Sequence, residues 1–367
     1  VFQNIELSPH QNRKALMALD FGPINSLIES EDITEVMVNS WNKIYVEHKG
    51  LLVETSAKFV DQRQFDELVF AILAEDKKNI KSGLFFDGVL KNGYRYNITL
   101  PPMAPKGAAL TIRKFASKVF SLEALVASDF LSDKAARFIK AAVQNKLSLV
   151  ISGGTGSGKT SFLGALGSLI SFEERIISIE DVPELRMNHP NWVSLQAVKS
   201  DHVNVTTREC VVNSLRMRPD RILVGECRKD ETFEMLQAMN SGHEGSMTTV
   251  HSNSPSDCLS RFESLVQIAG VDLPLRQIRY QISKAIDLII QIRRRSSDGK
   301  REISEIIEIT GMDHETITRA CIFERDKSGH LIPTGLVPRV LNKINKDRQL
   351  IHPSLFSNPN TVEKRSA

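Results

Sequence analysis

Cysteine is scarce in this chain: Cys210, Cys227, Cys258 and Cys321 lie far apart and no two form a C-x-x-C pair. That excludes an obvious zinc site and fits a reducing cytoplasm. Net charge is almost missing too, since 47 Lys and Arg against 44 Asp and Glu leave +3. So small an excess does not make nucleic acid or an acidic membrane the main partner. No apolar run approaches ~20 residues, so no transmembrane segment is expected. The N-terminus shows no basic segment followed by an apolar core, so no signal peptide is expected. Its first residue is Val1 rather than Met, and residues upstream are allowed for. What remains is an ordinary globular composition, 41% apolar and 25% charged over 367 residues, long enough for two or three domains. The expected class is a soluble cytoplasmic protein.

One stretch organises the rest. Ile151 to Ser161 reads ISGGTGSGKTS, in which Gly153, Gly158, Lys159 and Thr160 fit the phosphate-loop pattern G-x-x-x-x-G-K-[ST]. Average residue usage predicts on the order of 0.01 such matches in a chain this long. Leu147 to Ile151 before it reads as a buried strand, and Phe162, Leu163, Leu166, Leu169 and Ile170 after it are apolar at helical spacing. Strand, glycine loop and helix are what the chemistry requires. Glycines let successive N–H groups turn toward an anion, and the helix N-terminus adds partial positive charge. Gly154, Thr155, Gly156, Ser157, Gly158, Lys159, Thr160 and Ser161 are the candidate nucleotide-binding residues. Lys159 would reach the β- and γ-phosphates, and the Thr160 hydroxyl would hold Mg²⁺.

In chain order, residues 1–20 are mixed in pattern, an arm or a helix. Residues 21–115 show short apolar or alternating runs at Ile33–Val38, Ile44–Glu47, Leu51–Glu54, Leu84–Val89, Tyr94–Leu100 and Ala108–Ile112. An amphipathic segment, Phe65–Ala74, interrupts them, and Asn92-Gly93 predicts a type I′ hairpin turn. This is an α+β domain without a phosphate loop. Residues 116–131 read as a linker and 132–345 as a strand–helix alternation, which predicts a mainly parallel sheet covered on both faces. Residues 346–367 form a C-terminal tail. The fold class is therefore α/β.

Acids and a histidine end several predicted strands of the second domain, the edge where ligands bind in such sheets. Arg175–Asp181 ends in Glu180 and Asp181; Arg221–Glu226 ends in Gly225-Glu226; Thr248-Thr249-Val250 ends at His251. ATP hydrolysis needs a metal and a group to activate water, and these acids are candidates for both; they could instead cap the segments that follow. Glu226 stands where most such sites carry Asp. His251 could donate a hydrogen bond to a γ-phosphate. Arg216, Arg218, Arg221 and Arg228 crowd the segment around Glu226, some solvated and some available to phosphate charge. Arg95 and Arg113, read locally, are solvated strand residues. The run Arg293-Arg294-Arg295 reads as a solvated loop.

Together these residues resemble the secretion-ATPase superfamily of type II and type IV secretion and pilus assembly, most nearly the CpaF-type ATPases of tight-adherence (Tad) pili. The resemblance rests on TEVMVNSWNKIYVE (Thr34–Glu47), LTIRKF (Leu110–Phe115), GGTGSGKT (Gly153–Thr160) and SIED (Ser178–Asp181). It continues through LRMRPDRILVGECR (Leu215–Arg228), LQAMNSGHEG (Leu236–Gly245) and TTVHSNSP (Thr248–Pro255), and covers nearly all of 20–345. The cysteine module of type II export ATPases is missing, which points to the Tad and related type IV branch.

The resemblance implies an N-terminal sensing domain joined to a RecA-like ATPase domain, with nucleotide between them, in a hexameric ring. It implies ATP and Mg²⁺, with Thr160, Glu226 and Asp181 toward the metal directly or through water. It makes Glu180, Glu226, His251, Arg216, Arg113 and Arg95 catalytic candidates, the arginines neutralising charge during transfer. Which of Glu180 and Glu226 activates water stays open. The implied partner is an inner-membrane platform protein, to which a cytoplasmic ring would be peripheral; no direct contact with nucleic acid is expected. A nucleotide-dependent switch with little hydrolysis, or a conjugation-type ATPase moving other cargo, are the alternatives.

Overall fold

The computed structural model describes residues 19–114, 119–199, 203–347 and 349–359. Two compact units are present: Val1–Ala116 with Ser297–Gly299, and Ser117–Ser296 with Lys300–Ala367. The expected N-terminal arm, 1–20, lies outside the described residues up to residue 18. The last eight residues of the expected tail, 360–367, also lie outside them.

The first unit runs α1 (Asn25–Glu29), β1 (Ile33–Ser40), β2 (Lys43–His48), β3 (Leu51–Glu54), α2 (Gln62–Glu75), β4 (Phe85–Val89), β5 (Arg95–Thr99) and β6 (Ala109–Arg113). Its strands form one antiparallel sheet in the order β3-β2-β1-β6-β5-β4. Alternate residues point to opposite faces of a strand. One face therefore carries Val36, Val38, Ile44, Val46, Ile98, Leu110 and Ile112 into a core with Phe65, Leu68, Val69, Ile72 and Leu73 of α2. The Asp61 carboxylate starts α2 by accepting from the Gln64 N–H.

The β4–β5 hairpin forms, but not with the type I′ turn expected at Asn92-Gly93. Gly93 is left-handed at φ 88°, whereas Asn92 is not among the positive-φ residues. The Leu90 N–H donates to the Tyr94 carbonyl and the Gly93 N–H to the Leu90 carbonyl, both at 2.8 Å. The loop thus holds three residues, a tight turn closed by a left-handed glycine. The Asn92 side chain, accepting from the Tyr94 N–H, favours this arrangement.

The second unit opens with α3 (Leu122–Ala127), inside the expected linker, and α4 (Asp133–Gln144). There follow β7 (Leu149–Gly153), α5 (Lys159–Gly167), β8 (Ile176–Glu180), β9 (Trp192–Gln196), the short pair β10 (Val198–Lys199) and β11 (Asn204–Val205), and α6 (Thr207–Ser214). Next come β12 (Arg221–Val224), α7 (Glu231–Asn240), β13 (Met247–His251), α8 (Pro255–Ile268) and α9 (Leu275–Ala285). The unit ends in β14 (Leu288–Arg294), β15 (Arg301–Asp313), β16 (Thr316–Arg325), β17 (Leu331–Pro333) and a short helical turn at Leu341–Ile344.

The main sheet has the order β17-β16-β15-β14-β7-β13-β12-β8-β9. From β14 to β9 the pairings are parallel, and from β14 outward to β17 they are antiparallel. The mainly parallel α/β sheet expected for this region is present, with an antiparallel extension added. Both faces are covered, as apolar strands of this kind require. Leu149, Ile151 and Leu223 enter one core, while Val150, Ile222 and Val224 enter the other.

The extension corrects the reading of Arg293-Arg294-Arg295 as a solvated loop. Strand pairing runs through Arg294, opposite Arg301, and Arg293 stands opposite Glu302. The buried Glu302 carboxylate is 2.7 Å from Arg293 Nε and 3.5 Å from Arg295 Nη1. Arg221 is likewise neither solvated nor near Glu226. It begins β12 at the opposite end of the sheet, fully buried. There it donates to both oxygens of Glu174 at 2.7 and 3.1 Å, and to the Gly245 and Val143 carbonyls.

Candidate functional site

β7 lies between β13 and β14, which places Gly153 opposite His251 on one side and Ile292 on the other, at the carboxyl edge of the parallel strands. Gly156 and Gly158 take φ values of 68° and 93°, which L side chains resist. Gly158 precedes α5 and offers no capping side chain, so the first N–H groups of α5 are left for an anion. The Lys159 ammonium is buried and donates to the Gly153 and Gly154 carbonyls, both at 2.9 Å. The Ser157 hydroxyl also donates to Gly154. Thr160 and Ser161 stand partly exposed in the first turn of α5.

The neighbouring strand ends converge on the same edge. Glu180 ends β8 and is 4% exposed. One of its oxygens accepts from the Glu184 and Leu185 N–H groups at 3.0 and 2.9 Å. The other, Oε2, is buried without a hydrogen-bond partner among the described residues. Burial pushes this carboxyl up to about 7, against the lowering effect of those two backbone bonds. A carboxyl poised near neutrality is what a general base for water requires.

Asp181 and Glu226 are held differently. Arg228 donates to Glu226 at 2.7 Å and lies 3.8 Å from Asp181, while the Thr207 hydroxyl donates to Asp181 at 2.6 Å. One guanidinium thus ties the acid after β8 to the acid after β12. The Arg228 hydrogen bond to Glu226 in turn holds its own proton more tightly. His251, exposed at the end of β13, places Nδ1 3.5 Å from the Thr155 hydroxyl at the tip of the glycine loop.

One predicted residue of this unit does not come to this edge. Arg216 is exposed on the segment between α6 and β12, donating to the Val212 carbonyl at 3.2 Å. α6 starts beside Asp181 and β12 begins at the far end of the sheet, so Arg216 lies toward that far end. Arg95 and Arg113 belong to the first unit, where they face each other across β5 and β6. There Arg113 Nε is 3.3 Å from Glu35.

Sequence reasoning missed Arg301, whose Nε donates to the Gly156 carbonyl at 2.8 Å. It has no local motif, and only the register of the β14–β15 ladder brings it to the loop.

A metal fits this donor set in one way. Among the described residues no cluster of three or more His, Cys, Asp or Glu side chains is arranged to hold an ion. Mg²⁺ is commonly held by one or two carboxylates with substrate phosphates and water rather than by an all-protein cage. Thr160 on α5, with Asp181 after β8 and Glu226 after β12 on the same sheet edge, would make a set of that kind.

With phosphate loop, acidic strand ends and RecA-like sheet in place, the molecule is an ATPase of the secretion class. Residues 90–332 match the family model described as "Type II/IV secretion system protein", and the chain belongs to that family. It is similar to the conjugal transfer protein TrbB of Rhizobium radiobacter, with 33% identity over 294 residues, covering 77% of this chain and 86% of that one. It is also similar to the type IV secretion system protein VirB11 of Bartonella henselae, with 32% identity over 339 residues, covering 80% and 92%. Among solved structures, the Legionella pneumophila ATPase DotB shares the fold at TM-score 0.58 and 21% identity, over 80% of this chain and 82% of that one. Among the described residues no helix is long and apolar enough to cross a membrane.

Proposed function

We propose that this chain is a cytoplasmic motor that hydrolyses Mg-ATP and, as a hexameric ring, drives pilus assembly or secretion through an inner-membrane platform protein. The observation that carries the hydrolytic reading is Glu180, a buried carboxyl held near neutrality on the strand beside the phosphate-loop domain's Gly225-Glu226. The loop N–H groups and the α5 N-terminus bind the β- and γ-phosphates, and Lys159 exchanges its two carbonyl partners for phosphate oxygens. Thr160, Asp181 and Glu226 would hold Mg²⁺, directly or through water, and the ion would supply positive charge to the phosphates. Glu180 takes the proton of the attacking water, while Glu226 is held by the Arg228 guanidinium. His251 donates to the γ-phosphate. For Arg95 and Arg113, and for Arg216 from a neighbouring copy in the ring, the proposed role is charge neutralisation during transfer.

The finer reading, assembly of a tight-adherence pilus, draws on the linked motifs of the sequence. A conjugation-type role is favoured by a separate observation, the likeness to TrbB and VirB11. A prepilin and prepilin peptidase encoded beside this chain would favour the first, and mating-channel components the second. Steady-state phosphate release by the purified protein and by Lys159→Ala tests the motor itself. A rate at least about 100-fold above the variant's supports it, and equal rates would leave a binding switch instead.

A further inference from the structure

The base of the β14–β15 hairpin holds two arginines directly opposite each other, Arg294 and Arg301. Like charges in that relation destabilise a sheet, and here the next strand inward is β7, which carries the phosphate loop. Strand alternation sorts the arginines of this hairpin onto two sides. Arg293 and Arg295 turn to the buried Glu302 carboxylate. Arg294 and Arg301 turn to the loop. The Arg301 Nε–H donates to the Gly156 carbonyl at 2.8 Å. Its Cδ stands 3.3 Å from where a Cβ on Gly158 would be, and Arg294 Nη1 is 3.9 Å from the same point on Gly156.

That contact acts on the loop's polarity. In a trans peptide the carbonyl and the following N–H point in opposite directions. Holding the Gly156 carbonyl toward Arg301 turns the Ser157 N–H to the other side, where it makes only a long, 3.4 Å bond to the Gly154 carbonyl. The guanidinium thereby removes a negative dipole from an anion's path and fixes a donor on it. We propose that Arg301 is a positioning residue for the phosphate loop, and that Arg294, against Gly156 beside it, adds positive charge at the same loop. The hairpin base then sets affinity for a nucleoside triphosphate from within the ATPase unit. This rests on the nucleotide-binding reading given above.

The test uses the full chain and equilibrium binding of a non-hydrolysed ATP analogue and of ADP, with thermal unfolding of each variant alongside. Arg301→Met is expected to weaken analogue binding about tenfold, the effect of one charge-assisted hydrogen bond, and Arg301→Lys to recover part of the loss. Arg294→Gln, which leaves the Gly156 contact in place, is expected to weaken the ATP analogue more than ADP. Unfolding temperatures should stay within a few degrees of the parent's. If Arg301→Met and Arg294→Gln both bind within about twofold of the parent while Lys159→Ala loses binding, the clamp is wrong and the phosphate loop stands. A lowered unfolding temperature with unchanged affinity makes the contacts structural and also overturns the proposal. Unchanged binding by Lys159→Ala would overturn the loop reading itself, and the clamp with it.

Discussion

The Glu180 side chain lies against the bare Cα of Gly225: a Cβ at Gly225 would stand 2.8 Å from Glu180 Cγ. Glu180 ends β8 and Gly225 directly follows β12, its parallel neighbour, with the Gly225 N–H donating to the Ile179 carbonyl at 2.8 Å. A glycine before Glu226 is therefore a steric requirement of the carboxyl next door. Gly225→Ala is expected to displace that carboxyl and cost about 1–3 kcal/mol of stability, the usual effect of overpacking. Hydrolysis should fall at least tenfold, since about 1 Å of misplacement can cost up to about 100-fold. Binding of an ATP analogue, which depends on a different loop, should hold. Chemical denaturation and phosphate release on the same preparation check both.

The raised Glu180 pKa also makes a stability prediction. In the unfolded chain the carboxyl ionises from its ordinary 4.5, and in the folded protein from about 7. Below both values it is protonated in both states and costs nothing. As pH rises through this window the unfolded state gives up its proton first, and folding is penalised up to a plateau above 7. Glu180→Gln keeps an oxygen to accept from the Glu184 and Leu185 N–H groups and removes the ionisation. It is expected to be more stable than the parent above pH 7, by up to about 3 kcal/mol, and of equal stability near pH 4. Denaturation midpoints at the two pH values decide it; equal stability at both would mean that Glu180 is not held protonated by burial.

Arg221 gives the opposite kind of prediction. It is fully buried with a two-point contact to Glu174, far from the strand-end acids. Burial pushes the Glu174 carboxyl up, but the hydrogen bonds and charge of Arg221, with Lys146, outweigh it and leave it lowered. Arg221→Met leaves that carboxylate with Lys146 alone, at 3.2 Å, and is expected to destabilise the fold by about 3 kcal/mol. Its nucleotide affinity, measured while folded, should be unchanged.

The parts of this molecule that were legible beforehand are those written in short stretches of chain. The loop of Gly153 to Thr160, the strand before it and the acids after β8 and β12 are local patterns. Their convergence follows from parallel strands ending at one edge. The six strands of the first unit were legible from short apolar or alternating runs with turn signals between them. The rest needed tertiary contacts. Asn92-Gly93 fixes a hairpin, but whether it closes in two residues or three depends on the pairing of Leu90 with Tyr94. Arg221 reads like its neighbours until the buried Glu174 is seen. Arg294 and Arg301 look like solvated charge because nothing local reports the register that sets them over the loop.

The most direct measurement is single-turnover hydrolysis of ATP across pH 5 to 9 by the parent and by Glu180→Gln, with nucleotide binding followed on the same samples. With Glu180 as the base, the parent's rate should rise with an apparent pKa of about 7 and then level off. The variant should bind ATP as tightly and hydrolyse it at least about 100-fold more slowly, with no such rise. A variant that turns over at the parental rate, or a parent whose rate is flat through pH 7, would contradict the account.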